Sequence, residues 1–384
     1  MRLILTGAKV YTPEKCHQQG TVIIEGGKIK DVVRGEPEHC EGLVIEFDRE
    51  DIVTPGLIDV HTHGYKGRAV APDQAELSGL SFVLASEGVT GFLGTAMTAP
   101  LEELAAILAA GEECRKRVLP GAALLGIHLE GPFLNPDYAG FQERRFLRPP
   151  ALSDLYFLLE KGGPIALLTL APELPNALEV VRAASREGTI VSAGHSAATF
   201  EETLAAVRAG LSHTTHIFNR MAPLHHREPG LVGAALTLPQ ISVEAIADCV
   251  HLHPAILQLL FMLKKENLVV ISDTLPCSGL PPGVYEVGSS KVEVTPDSVR
   301  TNEGKLAGGA LPLPQALSRF RKLSGLPLEK ILPAVTINPA RLLRLDHRKG
   351  RLAPGYDADI SVFSKDFVPL LTIVGGRVVY EKPL

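Results

Sequence analysis

The stretch LIDVHTHG, residues 57–64, joins a short apolar run to two histidines. An apolar run of this length predicts a strand that is buried on both faces, as in a parallel sheet. His61 and His63 are two residues apart, and the side chains of a strand alternate between its faces, so the two rings point the same way. The stretch therefore predicts a buried strand whose carboxyl end presents a pair of histidines.

Four later apolar runs end in the same manner, in a histidine or a carboxylate. They are LLGIHLEGPF (124–133) with Glu130, GTIVSAGHS (188–196) with His195, LSHTTHIFN (211–219) with His216, and LVVISD (268–273) with Asp273. Helical patterns such as 101–118 and 199–209 lie between the runs. About eight such runs favour an α/β protein with a closed (β/α)8 barrel, and an open doubly wound sheet is the alternative. In a barrel all strands end around one mouth, so these residues would converge there.

Nitrogen and oxygen donors that suit Zn²⁺ or a similar divalent ion stand at all five strand ends: His61, His63, Glu130, His195, His216 and Asp273. Each donor alone has an ordinary explanation, because an HxH pair is often only polar. Glu130 could begin a helix, and Asp273 could begin a turn. Five such endings in the matching segments favour a metal site over these explanations.

Other histidines carry less information. Five histidines have no second metal-binding residue at the spacing that would make them metal ligands, so we expect each to be a hydrogen-bonded structural or surface residue. They are His213, His225, His226, His253 and His347. His128 shares a strand face with Glu130 and could support the ligands from outside. His251 closes the apolar run 241–251 and is therefore expected to face the mouth.

Both ends of the chain have the texture of small antiparallel strands. The first part of the chain contains short runs in which apolar and polar residues alternate, separated by turn residues. Residues 358–380 show the same pattern, with Gly375-Gly376 as a two-residue hairpin turn. Neither end alone has enough strands to bury a face. We therefore predict that residues 1–55 and 345–384 form one β domain beside a barrel over residues 56–344.

The composition of the 384 residues excludes several classes of protein. Hydrophobic residues make up 45% and charged residues 21%, as in a globular protein with a sizeable core rather than a disordered chain. The net charge of -5 argues against a nucleic-acid binder that acts by bulk charge, so any anion must be held by a local pocket. No glycine-rich nucleotide motif occurs, and the absence of Trp excludes carbohydrate stacking on Trp.

The sequence also predicts a compartment. The apolar segment in the N-terminal stretch MRLILTGAKVY is too short for a signal peptide. No segment of the sequence approaches the roughly 20 consecutive apolar residues of a membrane span. We therefore predict a cytoplasmic protein with no membrane partner. The five cysteines are far apart without a CxxC pair, which favours reduced thiols: Cys16, Cys40, Cys114, Cys249 and Cys277.

Seven segments, taken together, have the pattern of a known enzyme family. They are PGLIDVHTHG (55–64), HLEGPFLNP (128–136), AGHS (193–196), THIFN (215–219), REPGLVGAAL (227–236), ISD (271–273) and LDHRKGRLAPGYDADI (345–360). Over nearly its whole length the chain resembles the N-acetylglucosamine-6-phosphate deacetylases of the amidohydrolase superfamily. The resemblance implies a metal-bearing (β/α)8 barrel with a β-sandwich built from both termini. It also implies hydrolysis of N-acetylglucosamine 6-phosphate to glucosamine 6-phosphate and acetate, in amino-sugar catabolism and cell-wall recycling.

The resemblance assigns roles to the donors. It implies that Glu130, His195 and His216 hold the metal that faces the substrate amide. Some members bind only that metal and have lost the HxH pair, whereas His61 and His63 are both present here. This suggests a second metal bridged by Glu130, with Asp273 as ligand and as the acid/base. Zinc is the expected ion, one or two per subunit, with iron, cobalt or manganese as alternatives.

The resemblance also implies a phosphate pocket. Asn219 with the following backbone amide, His251, and Arg227 from the neighbouring subunit of a homodimer would bind the phosphate. Gln142 stands where some members have a histidine that helps to hold the carbonyl or the sugar. Arg220 stands where many relatives have alanine, so it either adds a positive charge beside the pocket or faces solvent without a role, and we favour the second.

Three alternatives remain open. The galactosamine epimer of the substrate is not excluded, because the contact to the 4-hydroxyl is not readable from sequence. A cyclic amidase or a nucleobase deaminase is less favoured, since no lysine suggests a carbamylated bridge and a deaminase would have no use for a phosphate clamp. A metal-free scaffold on the same barrel is disfavoured by the intact set of donors.

Overall fold

The computed structural model describes residues 2–12, 15–35 and 41–383, so Cys40 lies outside the described residues. The strands, in chain order, are β1 (Arg2–Thr6), β2 (Lys9–Tyr11), β3 (Cys16–His17), β4 (Gly20–Glu25), β5 (Lys28–Arg34), β6 (Leu43–Glu46), β7 (Ile52–Pro55), β8 (Leu57–Thr62), β9 (Gly64–Tyr65), β10 (Arg68–Ala69), β11 (Val89–Ala96), β12 (Ala123–Glu130), β13 (Leu167–Leu170), β14 (Ile190–Ala193), β15 (His213–Thr214), β16 (Ser242–Ile246), β17 (Leu268–Ile271), β18 (Gly283–Val287), β19 (Ser290–Val294), β20 (Val299–Thr301), β21 (Leu306–Gly308), β22 (Ile360–Phe363), β23 (Pro369–Val374) and β24 (Arg377–Glu381).

The helices are α1 (Gln74–Ser86), α2 (Leu101–Arg115), α3 (Leu152–Gly162), α4 (Ala177–Arg186), α5 (Phe200–Ala209), α6 (Gly230–Thr237), α7 (Pro254–Lys264), α8 (Leu313–Ser324), α9 (Leu328–Ile331) and α10 (Ile337–Leu342). Short 3₁₀ turns cover Pro136–Tyr138, Arg144–Phe146, Lys265–Asn267 and Leu332–Val335. Throughout the described ranges, no helix is long and apolar enough to cross a membrane.

Eight parallel strands within residues 41–383 form one sheet in the order β8-β11-β12-β13-β14-β15-β16-β17. The sheet nearly closes on itself just beyond its last strand. There Asp273 N donates to His61 O at 2.9 Å, and His63 N donates to Thr274 O at 2.8 Å. A helix follows each strand, α1 to α8 in turn, and strands and helices share a large apolar core. The predicted (β/α)8 barrel is confirmed, and the alternative of an open sheet is wrong.

Local sequence explains how the barrel elements form. All four residues of β17, LVVI, are buried, and its β-branched side chains suit a pleated strand packed on both faces. Helix α5 begins with a capping box, in which Thr199 Oγ1 accepts from Glu202 N at 3.1 Å and Glu202 Oε2 accepts from Thr199 N at 2.8 Å. This cap fixes the end of the short loop that carries His195.

The two ends of the chain build two sheets around one core. One sheet has the order β5-β4-β1-β6, and the other has the order β24-β23-β22-β7-β2-β3. β7 pairs antiparallel with β22, and Val53 lies opposite Val362. The shared core mixes residues of both ends, such as Val22 and Ile373. This agrees with the expected joint β domain, while the boundaries at 55 and 345 stay a prediction.

An antiparallel sheet of four strands, β18-β19-β20-β21, is inserted between β17 and α8, inside the continuous stretch 41–383. Val292 and Val299 of this insert pack with Leu275 and Cys277, which follow the last barrel strand. The insert therefore sits at the carboxyl ends of the barrel strands. No pattern in the sequence predicted this sheet.

The described cysteines carry free thiols: Cys16, Cys114, Cys249 and Cys277. Cys114 and Cys277 are buried, whereas Cys16 and Cys249 are half-buried. For these four residues the structure agrees with the expectation of reduced thiols.

Candidate metal centre

The six predicted donors lie together at the mouth of the barrel. His61 is in β8, His63 follows it, Glu130 ends β12, and the other three stand two residues beyond β14, β15 and β17: His195, His216 and Asp273. They form two groups, His61/His63/Asp273 and Glu130/His195/His216, and within each group the ligand atoms lie within 4.8 Å of one another. Residues spread over more than half of the sequence thus meet in one place.

Glu130 lies between the two groups. Its Oε1 is 3.0 Å from His195 Nε2 and 2.8 Å from His216 Nε2. The same oxygen is 3.6 Å from His61 Nε2, and Oε2 is 3.3 Å from His63 Nε2. One carboxylate therefore reaches histidines of both groups, which is the arrangement a bridging ligand requires.

Three of the donors stand on left-handed backbone. The φ angles are 49° at His195, 26° at His216 and 52° at Asp273. Non-glycine residues rarely adopt this region, and such conformations concentrate at functional sites. All three occur where the chain leaves a strand, so the sharp turn of the backbone aims each side chain into the mouth.

Backbone carbonyls orient two of the histidines. His63 Nδ1 lies 3.1 Å from Thr95 O, and His195 Nδ1 lies 2.9 Å from Tyr138 O. A carbonyl only accepts, so each Nδ1 carries a proton, and each Nε2 is the nitrogen that faces the centre of the site.

The residues present fit a divalent metal. His61 Nε2 is buried without a hydrogen-bond partner, although it faces Asp273 Oδ1 at 3.3 Å. The donor set combines imidazole nitrogens with carboxylate oxygens, as in protein sites for zinc and related ions. A buried polar atom without a partner is costly, and a bound cation would satisfy it.

The electric field at the site also favours a cation. Burial would lower the pKa of His63, but its contacts with Asp273 and Glu130 raise it to about 9. Burial would raise the pKa of Asp273, yet His61, His63 and His216 hold it below its usual value. The carboxylates thus stay ionised and stabilise positive charge among the histidines.

The mouth opens into a cavity of about 370 Å³. It is lined by five of the six metal-donor residues, by residues of the insert, and by further predicted substrate residues: His63, Glu130, His195, His216 and Asp273; Arg300, Lys305 and Leu306; and Gln142, Asn219, Arg220 and His251. This volume suits a small polar ligand rather than a polymer.

Gln142 is buried and held at both ends of its amide. Its Oε1 accepts from Thr98 N at 2.8 Å, and its Nε2 donates to Glu130 Oε2. The contact with Thr98 fixes which end of the amide faces the cavity, so Gln142 presents a hydrogen-bond donor beside Glu130.

Three of the residues near the predicted phosphate pocket line the cavity: Asn219, Arg220 and His251. His251 Nδ1 is 2.7 Å from Asp248 Oδ2, which leaves its other nitrogen free for a ligand. Asn219 Nδ2 lies 3.3 Å from His216 O. Arg220 is half-buried, and its Nη2 donates to Leu306 O at 3.0 Å. The expectation of a solvent-facing Arg220 is wrong, because the side chain lies along the cavity wall between the loop at Gly140 and the insert.

Arg227 does not line the cavity of its own chain. It is exposed, and its Nη1 is 2.8 Å from His226 Nε2. His225 and His226 are exposed as well, and His253 caps α7 by accepting from Ala255 N. These histidines agree with the structural or surface roles expected for them.

His128 and His213 are buried beneath the donors. His128 contacts Thr95 Oγ1 and Thr169 Oγ1, and its ring lies against the edge of His61 with centroids 4.7 Å apart. Burial and the neighbouring His61 hold the pKa of His128 well below its usual value, so it stays neutral. His213 Nε2 is 3.0 Å from Glu244 Oε1.

Sequence reasoning missed Glu244 and the insert residues Arg300 and Leu306. Glu244 was visible as a charged residue in the middle of the apolar run 241–251, which is a signal that a buried partner exists. Arg300 and Leu306 gave no such signal. They lie in short strands of alternating polar and apolar residues, and they are well separated along the sequence from every metal-donor residue.

Known proteins resemble the chain over most of its length. The model of the amidohydrolase family matches residues 52–379. An N-acetylglucosamine-6-phosphate deacetylase of Bacillus subtilis (strain 168) is 34% identical, with 98% of this chain and 97% of that protein covered. An N-acetylgalactosamine-6-phosphate deacetylase of Escherichia coli O157:H7 is 36% identical, with 87% of this chain and 89% of that protein covered.

A solved structure has the same fold. It is an N-acetyl-D-glucosamine-6-phosphate deacetylase mutant from Mycobacterium smegmatis in complex with N-acetyl-D-glucosamine-6-phosphate. Its TM-score is 0.90 at 27% identity, with 98% of this chain and 99% of that chain covered.

Proposed function

The chain belongs to the amidohydrolase family, and from this premise we propose that it removes the N-acetyl group of N-acetylglucosamine 6-phosphate, giving glucosamine 6-phosphate and acetate. The observation that carries the proposal is the pair of donor groups connected by Glu130, in a cavity that His251, Asn219 and Arg220 also line. Amide chemistry and anion binding are thereby combined in one small pocket.

Glu130, His195 and His216 would hold one divalent ion, and His61, His63 and Asp273 a second ion bridged by Glu130. Zinc suits this mixture of imidazole and carboxylate donors, and iron, cobalt or manganese are alternatives. When bound, such an ion polarises the amide carbonyl and makes water nucleophilic near neutral pH.

Asp273 would serve as the acid/base. Its carboxylate stands at the mouth of the cavity and is kept ionised by the surrounding histidines, so it can accept a proton from the attacking water. The amide nitrogen leaves poorly unless it is protonated. Asp273 then passes the same proton to that nitrogen as the carbon–nitrogen bond breaks.

Gln142 would orient the acetyl group. Because Thr98 fixes its amide, an N–H of Gln142 faces the space beside Glu130, where the carbonyl or a sugar hydroxyl would lie. An amide cannot titrate, so Gln142 binds and positions but moves no proton.

The phosphate would bind at His251, Asn219 and the backbone amide of Arg220, with the Arg220 guanidinium as an additional cation. Arg227 would complete this pocket in a neighbouring subunit of a homodimer. Arg227 is exposed and is not among the residues that line the cavity of its own chain, which supports that role. We place the enzyme in the cytoplasm, in amino-sugar catabolism and cell-wall recycling.

The galactosamine epimer is the second candidate substrate, because a relative 36% identical to this chain is named N-acetylgalactosamine-6-phosphate deacetylase. A cyclic amidase or a deaminase has no comparable support among the relatives described above.

A single assay tests the proposal. The purified chain is incubated with each of the two phosphorylated sugars and with unphosphorylated N-acetylglucosamine, and acetate, free amine and ammonia are measured. We expect acetate and amine in equal amounts without ammonia, chiefly from the glucosamine phosphate. Chelation should abolish the activity, and a divalent ion should restore it. Ammonia release, or full activity in metal-free protein, would contradict the proposal.

A further inference from the structure

Glu244 is a fully buried carboxylate directly beneath the metal centre. It lies in β16, and its side chain has no exposure to solvent. Three nitrogen atoms lie within hydrogen-bond distance of the carboxylate. Oε2 is 2.9 Å from His61 Nδ1 and 3.2 Å from His216 N, and Oε1 is 3.0 Å from His213 Nε2. A buried charge persists only where it is paired and hydrogen-bonded, and these contacts provide that environment.

The contact with Glu244 determines how His61 can bind. An ionised carboxylate only accepts hydrogen bonds, so His61 Nδ1 must carry a proton. His61 Nε2 is then the nitrogen that offers a lone pair. That nitrogen points toward Asp273 Oδ1 at 3.3 Å and has no hydrogen-bond partner of its own.

His61 differs in this respect from the other oriented histidines. His63 and His195 are held by the carbonyls of Thr95 and Tyr138, which are neutral. His61 alone among these three is held by a charged group. A carboxylate raises the basicity of the imidazole it contacts, which strengthens the bond from the opposite nitrogen to a cation.

Glu244 also supports the second group of donors through the backbone. His216 has a φ of 26°, an unfavourable conformation, and its N–H donates to Glu244 Oε2. The next residue, Ile217, donates its N–H to Glu244 O at 2.9 Å. The side chain and the backbone of one residue thus hold the turn that aims His216 into the mouth.

We propose that Glu244 is a positioning residue for the metal centre, which holds His61 with Nε2 facing Asp273 and thereby creates the ion site of His61, His63 and Asp273. His213 contacts the other oxygen of Glu244, Oε1, so it influences the same ion indirectly, through Glu244. The inference rests on the divalent-metal centre of the proposed function and not on its substrate.

Metal binding tests the proposal without any assay of activity. The full chain is freed of metal by chelation and titrated with Co²⁺, while heat and visible absorption are followed and bound cobalt per chain is measured. We expect two binding events for the natural chain. Glu244→Gln keeps the volume and one accepting oxygen but loses the negative charge. His61 Nδ1 and His216 N both contact the same oxygen, Oε2, so the amide oxygen can keep the contact to His216 N. The second ion should therefore bind about 10- to 100-fold more weakly, because His61 loses its charged partner, while the first changes little. Glu244→Asp keeps the charge and should recover part of the loss.

Two comparisons identify the affected ion. The double variant Glu244→Gln with His61→Ala should bind cobalt like His61→Ala alone, because both changes remove the same site. Ser192→Ala is the matched control, since Ser192 is a buried hydroxyl of the barrel that contacts Thr215 Oγ1 and none of the donors. Its two binding events should match those of the natural chain.

Several outcomes would overturn the proposal. One is that Glu244→Gln binds both ions as the natural chain does. Another is that Glu244→Gln weakens the ion held by His195 and His216 more than the ion held by His61 and His63. A third is that the natural chain binds only a single ion at excess cobalt. If Glu244→Gln does not fold, His213→Asn replaces it, and unchanged binding of both ions by that variant would also refute the inference. A chain that binds two ions but releases no acetate would refute the proposed function alone.

Discussion

Asp273 combines two tasks at the scale of a single residue. It faces both histidines of its donor group, with Oδ1 at 3.3 Å from His61 Nε2 and 3.4 Å from His63 Nε2, and it also borders the cavity where water and substrate would meet. Asp273→Asn keeps the shape but cannot accept a proton. We expect kcat to fall by a hundredfold to about ten-thousandfold with KM little changed, measured by acetate release.

The control for Asp273→Asn is its metal content, because the same carboxylate is a proposed ligand. Cobalt per chain is measured beside the rates, and the comparison is made at saturating metal. A variant within about tenfold of the natural rate at full metal content would show that another group accepts the proton.

Arg220 carries a charge that the described residues do not neutralise. Burial lowers the pKa of its guanidinium, and no carboxylate of the described chain opposes that effect. An anion in the cavity would stabilise such a cation. Arg220→Ala should therefore raise KM for the phosphorylated sugar by about tenfold or more, with kcat nearly unchanged.

Unphosphorylated N-acetylglucosamine separates this role from a structural one. Arg220 Nη2 also ties the wall of the cavity to Leu306 of the insert, so loss of that contact could weaken any ligand. Equal losses for both sugars in Arg220→Ala would assign Arg220 to the architecture of the mouth. A loss confined to the phosphorylated sugar would assign it to the phosphate.

Single residues also show where the sequence was informative. The six donors were predictable because a strand end is a local pattern and a barrel gathers all strand ends at one mouth. The carbonyls of Thr95 and Tyr138, and the left-handed backbone at His195 and His216, were not predictable. They depend on which segments meet in space, and no local pattern of side chains encodes that contact.

The last strands test the joint β domain at the scale of elements. β22 lies between β7 and β23 in one sheet, and Ile360 and Leu371 share a core with Val10 and Val22. Deleting the chain from Ala358 onward would expose this core and leave β7 with only one of its two partner strands, β2. We expect insoluble protein, judged by fractionation after expression, because exposed apolar strand edges associate.

A shorter deletion is the control for that truncation. Removing residues 383 and 384 leaves every described strand intact, so this variant should be soluble and active. Soluble, active protein without residues 358–384 would instead show that the N-terminal strands do not need the C-terminal ones.

The insert β18–β21 marks the limit of prediction at this scale. Its strands are only three to five residues long, and their polar and apolar residues alternate as they do in many exposed loops. Its core forms against Leu275 and Cys277, which belong to the barrel side of the mouth. Such a unit becomes recognisable only when the barrel is present to pack against it.

At the scale of the whole molecule, Arg227 raises the question of a shared site. It is exposed and does not line the cavity of its own chain, although the family resemblance assigns it to the phosphate. In a two-fold dimer such a contact is reciprocal, so each site would use its own Asp273 and would borrow Arg227 from its partner. Arg227→Ala should then act chiefly through weaker binding of the phosphorylated sugar.

Mixing two inactive variants tests this arrangement. Arg227→Ala and Asp273→Asn homodimers should each have little activity. When equal amounts are refolded together, about half of the dimers pair the two variants, and one of the two sites in each such dimer has an intact Asp273 and a donated Arg227. Activity should recover to about a quarter of the natural level if pairing is random. If Arg227 acted within its own chain, every site in the mixture would keep a defect. No gain in activity, while differently tagged chains are shown to exchange, would therefore exclude the shared site and leave the metal chemistry unaffected.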